Sequence, residues 1–97
     1  MSIFYRTETI RIEAEVRNEN LSYINVTSAS IWIQDPSGDN VINGSAMTNT
    51  STGIYQFDFN TSSDSPLGVW KLEVKTTSGS KYNIERGSFK LEDSLSV

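Results

Sequence analysis

From Glu8 to Arg17 the chain alternates without a fault: Ile10, Ile12, Ala14 and Val16 interleave with Arg11, Glu13, Glu15 and Arg17. A period of two sends successive side chains to opposite faces of an extended strand, so this segment has one dry face and one wet face. The pattern returns three times. Ala29, Ile31 and Ile33 alternate with Ser30, Trp32 and Gln34; Tyr55, Phe57 and Phe59 alternate with Gln56 and Asp58; Trp70, Leu72 and Val74 alternate with Lys71, Glu73 and Lys75. No stretch holds the 3.6-residue period of an amphipathic helix. A chain patterned this way has to build sheets, each wet on one side and buried on the other.

Turn chemistry separates the alternating segments. Asn18-Glu19-Asn20 is a polar turn. Asp35-Pro36-Ser37-Gly38 has Asp at the first position, Pro preset at the second and Gly at the fourth, as a type I turn wants. A short return strand, Asn40–Asn43, follows it. Residues 44–53 read as a loop with one short edge strand near Met47, and 60–66 as another loop. Thr77-Ser78-Gly79-Ser80 is a tip leading into a last strand, Tyr82–Glu92. With Ile3–Tyr5 as the first strand, about seven short strands result. The expectation is an all-β, immunoglobulin-like antiparallel β-sandwich with Greek-key connections. One domain spans 1–92 and a linker starts at 93–97. Its core should hold Ile10, Ile12, Val16, Ile31, Ile33, Tyr55, Phe57, Trp70, Leu72, Val74 and Phe89. Tyr82 and Ile84 are out of phase with Phe89 and Leu91, which predicts a β-bulge or break near Arg86-Gly87.

Composition narrows the chemistry. At 97 residues there is room for one core. The net charge is −4 and no stretch gathers Lys or Arg, so neither nucleic acid nor an anionic membrane is an expected partner. There is no Cys and no His, which removes disulfides, thiolate metal sites, Ser-His and Cys-His nucleophiles and the commonest zinc ligand. No apolar run approaches the ~20 residues of a membrane span, and the N-terminus has no signal-peptide core. Met1 followed at once by a first strand reads as a piece cut from a longer chain.

Several stretches, in order, resemble macroglobulin MG2-type and prokaryotic immunoglobulin-like surface modules. Tyr5-Arg6-Thr7-Glu8-Thr9-Ile10 resembles that family's Tyr-Arg-Pro-Gly-Glu-Thr-Val opening, one residue shorter and without the Pro-Gly. Ala29-Ser30-Ile31-Trp32-Ile33 followed by Asp35-Pro36-Ser37-Gly38 resembles its strand and Asp-Pro-x-Gly turn. Gly53-Ile54-Tyr55, Ser65-Pro66-Leu67-Gly68-Val69-Trp70 and Gly87-Ser88-Phe89-Lys90-Leu91 resemble its next two strand openings and its closing strand. The resemblance implies a stalk or spacer, usually in tandem, on secreted or cell-surface proteins of archaea or bacteria. Neighbouring domains of the same polypeptide are then the implied partners. It supplies no catalytic residue.

The sharpest local signal is a set of five Asn-x-Ser/Thr glycosylation acceptors, at Asn20, Asn25, Asn43, Asn49 and Asn60. With eight Asn, and 24 Ser or Thr among 97 residues, chance supplies about two. The competing reading is a Ser/Thr/Asn-rich surface kept for solubility. Trp32 points away from Ile31 and Ile33. It is a candidate platform for a sugar or a protein partner, against the plainer expectation that the stems of Lys71 and Lys75 cover its ring. Asp35, Asp39 and Asn40 offer oxygen to Ca²⁺, but such residues are what a turn requires for its own hydrogen bonds. Glu13, Glu15, Asp58, Asp64 and Glu73 are numerous enough for a hydrolytic pair, yet most alternate onto wet faces without a cleft to raise a pKa. No catalysis, cofactor or metal is expected. A non-catalytic spacer is the first expectation, and a carbohydrate- or protein-binding module using Trp32 is the second.

Overall fold

A computed structural model describes residues 2–18 and 20–95. The alternating segments become eight strands: β1 (Ser2–Tyr5), β2 (Thr9–Glu15), β3 (Ser28–Gln34), β4 (Asn40–Ala46), β5 (Thr48–Ser51), β6 (Ile54–Asn60), β7 (Gly68–Ser78) and β8 (Lys81–Glu92). They form a five-stranded sheet ordered β1-β8-β7-β3-β4 and a three-stranded sheet ordered β2-β6-β5. All pairs are antiparallel except β1 with β8. The chain changes sheet between β1 and β2, β2 and β3, β4 and β5, and β6 and β7. This is a sandwich, and no helix occurs among the described residues.

Register explains the core. In the small sheet Ile10 faces Phe59, Ile12 faces Phe57 and Ala14 faces Tyr55, while the wet face pairs Arg11 with Asp58 and Glu13 with Gln56. In the large sheet Ile31 faces Val74 and Ile33 faces Leu72. Trp70 faces Phe89 across β7 and β8. Ile10, Ile31, Ile33, Tyr55, Trp70, Val74 and Phe89 are buried, and Ile12, Val16, Phe57 and Leu72 are half-buried against them. An aromatic cluster on the large sheet reaches the small one through Phe59. The Trp70 ring lies 5.8 Å from Phe89 at 14° and 5.6 Å from Phe59, and Phe4 meets Phe89 edge-on at 88°. Trp70 Nε1 donates to the Pro66 carbonyl at 2.9 Å, so the one polar atom of the buried indole is satisfied.

The bulge predicted near Arg86-Gly87 is absent. β7 and β8 pair in one unbroken register from Gly68–Leu91 to Ser78–Lys81. Phase explains the difference. Tyr82 and Ile84 do not turn inward; they stay on the outer face, 64% and 45% exposed. Gly87 falls opposite Leu72, where a methyl carbon would already sit 3.4 Å from Leu72 Cδ1. That is ordinary van der Waals contact, so Gly87 packs over Leu72 within a regular strand and does not reset it.

Two further differences concern the middle of the chain. The return strand is longer than its sequence reading, running on through Gly44 to Ala46, with register shifts at Ile31/Trp32 and Ile33/Gln34. Met47 then drops into the core at 8% exposure while its N–H donates to the Ala29 carbonyl. Of the linker expected at 93–97, residues 96 and 97 lie outside the described residues, and Asp93 is ion-paired with Arg6 at 3.2 Å.

Candidate functional site

The outer face of the large sheet is set by the same alternation. Trp32 on β3 lies beside Glu73 on β7, which lies beside Arg86 on β8. Gln34 is next to Lys71, and Ser30 next to Lys75. Arg86 Nε donates to Glu73 Oε1 at 2.8 Å. The Lys75 ammonium sits 4.6 Å over the Tyr82 ring. The expected cover over Trp32 is therefore redistributed: its direct neighbour is a carboxylate, and Lys75 is engaged by β8. On the other side Trp32 faces Asn43 of β4, and its indole rests over Gly44. A methyl carbon at Gly44 would lie 3.2 Å from Trp32 Cζ2 and 3.4 Å from Cε2. With φ of +77°, Gly44 is a position where glycine is the cheapest backbone, and an added methyl would require the indole to give by a few tenths of an ångström.

Half-buried Trp32 borders a shallow cleft of about 330 Å³, whose wall includes Gln34, Asn40, Lys71, Glu73 and Arg86. The wall combines neutral amides with charges of both signs around one aromatic plane. A second groove of about 290 Å³ opens where the sheets part, between Ala14–Arg17 and the β7–β8 hairpin at Val74, Thr76, Asn83 and Glu85. Sequence reasoning missed it. The signal was there in Asn83 and Glu85, polar residues that keep the inward phase of Phe89.

The other candidates resolve into local structure. Asp35 Oδ1 accepts from Ser37 N at 3.0 Å and Asp39 N at 2.9 Å, so this carboxylate caps its own turn. Among the described residues no group of three or more Asp or Glu is placed to hold a metal. On the wet face of the small sheet Arg11 meets Asp58 at 3.1 Å, and Gln56 donates to Glu13 at 3.1 Å. Glu15 pairs with Arg17 at 3.3 Å. Arg17 in turn donates to the Tyr23 hydroxyl at 2.6 Å and sits over that ring.

All five acceptor asparagines are exposed, but their amides differ. Asn49 Nδ2 donates to the Ser51 carbonyl at 2.7 Å and the Ile54 carbonyl at 3.0 Å. Asn25 Oδ1 takes the Gly53 N–H at 2.8 Å. Asn60 Oδ1 takes the Thr9 hydroxyl at 2.7 Å. Asn20 lies in a loop fastened by Asn18 Oδ1, which accepts from the N–H groups of Asn20 and Ser22. The Asn43 side chain makes no hydrogen bond within the described residues.

Comparison with known proteins agrees with this architecture. A family model described as the MG2 domain matches residues 3–91. No curated protein matches the sequence. Among solved structures, the Lin-41 filamin domain superposes with a TM-score of 0.68 at 15% identity, covering 96% of this chain and 85% of that one. The endo-β-1,4-mannanase from Thermotoga petrophila superposes with a TM-score of 0.66 at 16% identity, over 96% of this chain and 18% of the mannanase. At these identities the likeness is one of fold.

Proposed function

This chain belongs to the MG2 domain family, and from that we propose that it is a non-catalytic structural module of a larger archaeal or bacterial cell-surface protein. The observation that carries the reading is the extent of the family match: residues 3–91 take in all but the ends of the sandwich, which supports reading the folded body as one module. Its wet faces interleave both signs of charge, as in Arg11–Asp58, Arg17–Glu15 and Arg86–Glu73. Such faces suit a solvated spacer better than a sticky one. MG2 domains occur in extracellular proteins, and the excess of glycosylation acceptors points the same way. Labelling intact cells of the native host with a membrane-impermeant amine reagent tests the address. Modification of this chain's exposed lysines before lysis is the expected result, and modification only after lysis refutes it.

The cleft beside Trp32 favours a second reading, adhesion to carbohydrate or protein through this face. A glycan-array screen with a Trp32→Ala control separates the two: binding that is lost in the variant supports adhesion.

A further inference from the structure

We propose that Trp32 is the seat of a glycan carried by Asn43 of the same chain: the first sugar packs on the indole, and the polar cleft beside it receives the sugars that follow. The inference rests on the reading of this chain as a glycosylated surface module.

Three independent observations converge on this pair. The first is register. Trp32 and Asn43 are direct partners across β3 and β4, on the outer face, since the neighbouring pair Ile33–Ile42 packs with the core. Directly opposed residues carry their Cβ atoms about 4.5–5.5 Å apart, so anything attached to one amide lies beside the facing ring. The second is the lean of the ring. The indole rests over Gly44, the middle residue of the Asn43-Gly44-Ser45 acceptor, which sets the aromatic plane on the acceptor's side of the strand pair. The third is the freedom of the amide. Asn43 is exposed and its side chain is unengaged among the described residues, whereas Asn49 Nδ2 already serves two backbone carbonyls. A glycosylated amide keeps only one N–H, so Asn49 would forfeit one of those bonds and Asn43 forfeits none.

The ligand chemistry suits the place. One face of a pyranose carries C–H groups with partial positive charge, and the indole face carries the negative end of the ring quadrupole. The hydroxyls at the sugar's rim need donors and acceptors, which Gln34, Asn40 and Lys71 provide along the cleft. Attachment follows ordinary transferase chemistry with a lipid-linked sugar (pyro)phosphate as the co-reactant. Asn43 Nδ2 attacks the anomeric carbon and an N–C1 bond forms. The C1–O bond to phosphate breaks, the lipid phosphate leaves with the bonding pair, and the amide proton passes to a base of the transferase. The outward tryptophan then shields apolar ring surface with the chain's own sugar, without an outside ligand.

The test uses the chain made in a glycosylating host and trimmed to its first sugar. Ser22→Ala, Thr27→Ala, Ser51→Ala and Ser62→Ala silence the other four acceptors while keeping their asparagines. NMR should show the first sugar's C–H protons shifted upfield by the indole ring current, with cross-relaxation to Trp32. The glycosylated form should melt about 4 °C or more above the Asn43→Gln form. Trp32→Leu, which keeps apolar bulk at the position, should abolish both the shift and the gain. An Asn43 glycan with unshifted resonances, and a gain that survives Trp32→Leu, overturns the proposal. Mass spectrometry of the native-host protein judges the underlying reading separately: sugar at none of the five acceptors refutes the glycosylated module, whereas sugar at other acceptors with Asn43 bare refutes this proposal alone.

Discussion

Gly53 joins the loop before β6 to the core, and replacing it with alanine is the sharpest single test of the packing. Its φ is +75°, in the left-handed region that costs an L-residue about 1–2 kcal/mol. An added methyl carbon would sit 2.7 Å from the Val16 carbonyl oxygen, 2.9 Å from Tyr23 Cβ and 3.1 Å from Ile24 N. Two of these neighbours are backbone atoms and cannot rotate aside. The residue also anchors both sides of the contact: its carbonyl accepts from Val16 N at 2.8 Å, and its N–H donates to Asn25 Oδ1 at 2.8 Å. Relieving an overlap of this kind adds about 1–3 kcal/mol, while a less flexible unfolded chain returns only about 0.4–1 kcal/mol. The net cost is about 2–4 kcal/mol, or a fall of about 10–25 °C in Tm for a domain of this size. Gly79→Ala is the matched control. Gly79 has φ of +63° but nothing within 4 Å of the added carbon, so the backbone cost stands alone and amounts to about 1 kcal/mol. Thermal and urea unfolding followed by circular dichroism reads both variants. Equal losses at the two positions would refute the packing of Val16, Tyr23 and Ile24 over Gly53.

The remaining expectations use the same assay. Thr7 is a β-branched residue with φ of +75°, in a turn where Glu8 N donates to the Tyr5 carbonyl at 3.1 Å; Thr7→Gly should stabilise by about 1 kcal/mol, and a loss would place the strain elsewhere. Asn25→Ala should cost about 1–2 kcal/mol by orphaning the Gly53 N–H, and Asn25→Asp, which keeps the acceptor oxygen, should recover most of it. Phe89→Ala should cost about 3–5 kcal/mol as a core truncation, whereas Tyr82→Ala should cost about 1 kcal/mol or less, the value of an exposed contact with Lys75. A large Tyr82 effect would mean that β8 does not hold one register along its length.

How much of this was legible beforehand follows from what a period of two can encode. Ile10, Ile12, Ile31, Ile33, Trp70 and Val74 lie on strands whose two faces differ in polarity along the whole length, so phase alone assigned them inward. β8 has no such contrast in its first half. Lys81, Asn83 and Glu85 share the inward phase with Phe89, while Tyr82 and Ile84 hold the other. A reader who turns every apolar residue inward must then invoke a bulge. The structure has a cheaper solution, since the second sheet does not cover that end of the hairpin and leaves a groove there. Inward-facing polar residues then cost nothing. Where a strand overhangs its opposing sheet, alternation ceases to report burial.

The Trp32 face shows the complementary limit. Alternation placed Trp32 outward correctly, because Ile31 and Ile33 fix the phase on either side. What it could not supply was the lateral neighbour, which depends on pairing between distant strands and on the shift at Ile31/Trp32. That shift lets β4 carry one more residue than β3 there, bringing Gly44 under the indole and leaving Asn43 directly opposite it. Glycine at the middle of an acceptor looks unremarkable in a Ser/Thr/Asn-rich loop. Only the pairing shows that a larger residue would crowd the indole and shift it, so Gly44→Ala should raise both the exposure of Trp32 and the red component of its fluorescence, while Trp70, at 2% exposure, stays inaccessible to quencher. A quenching curve unchanged from the parent would mean that the indole does not rest on Gly44, and the lateral arrangement argued for this face would fail with it.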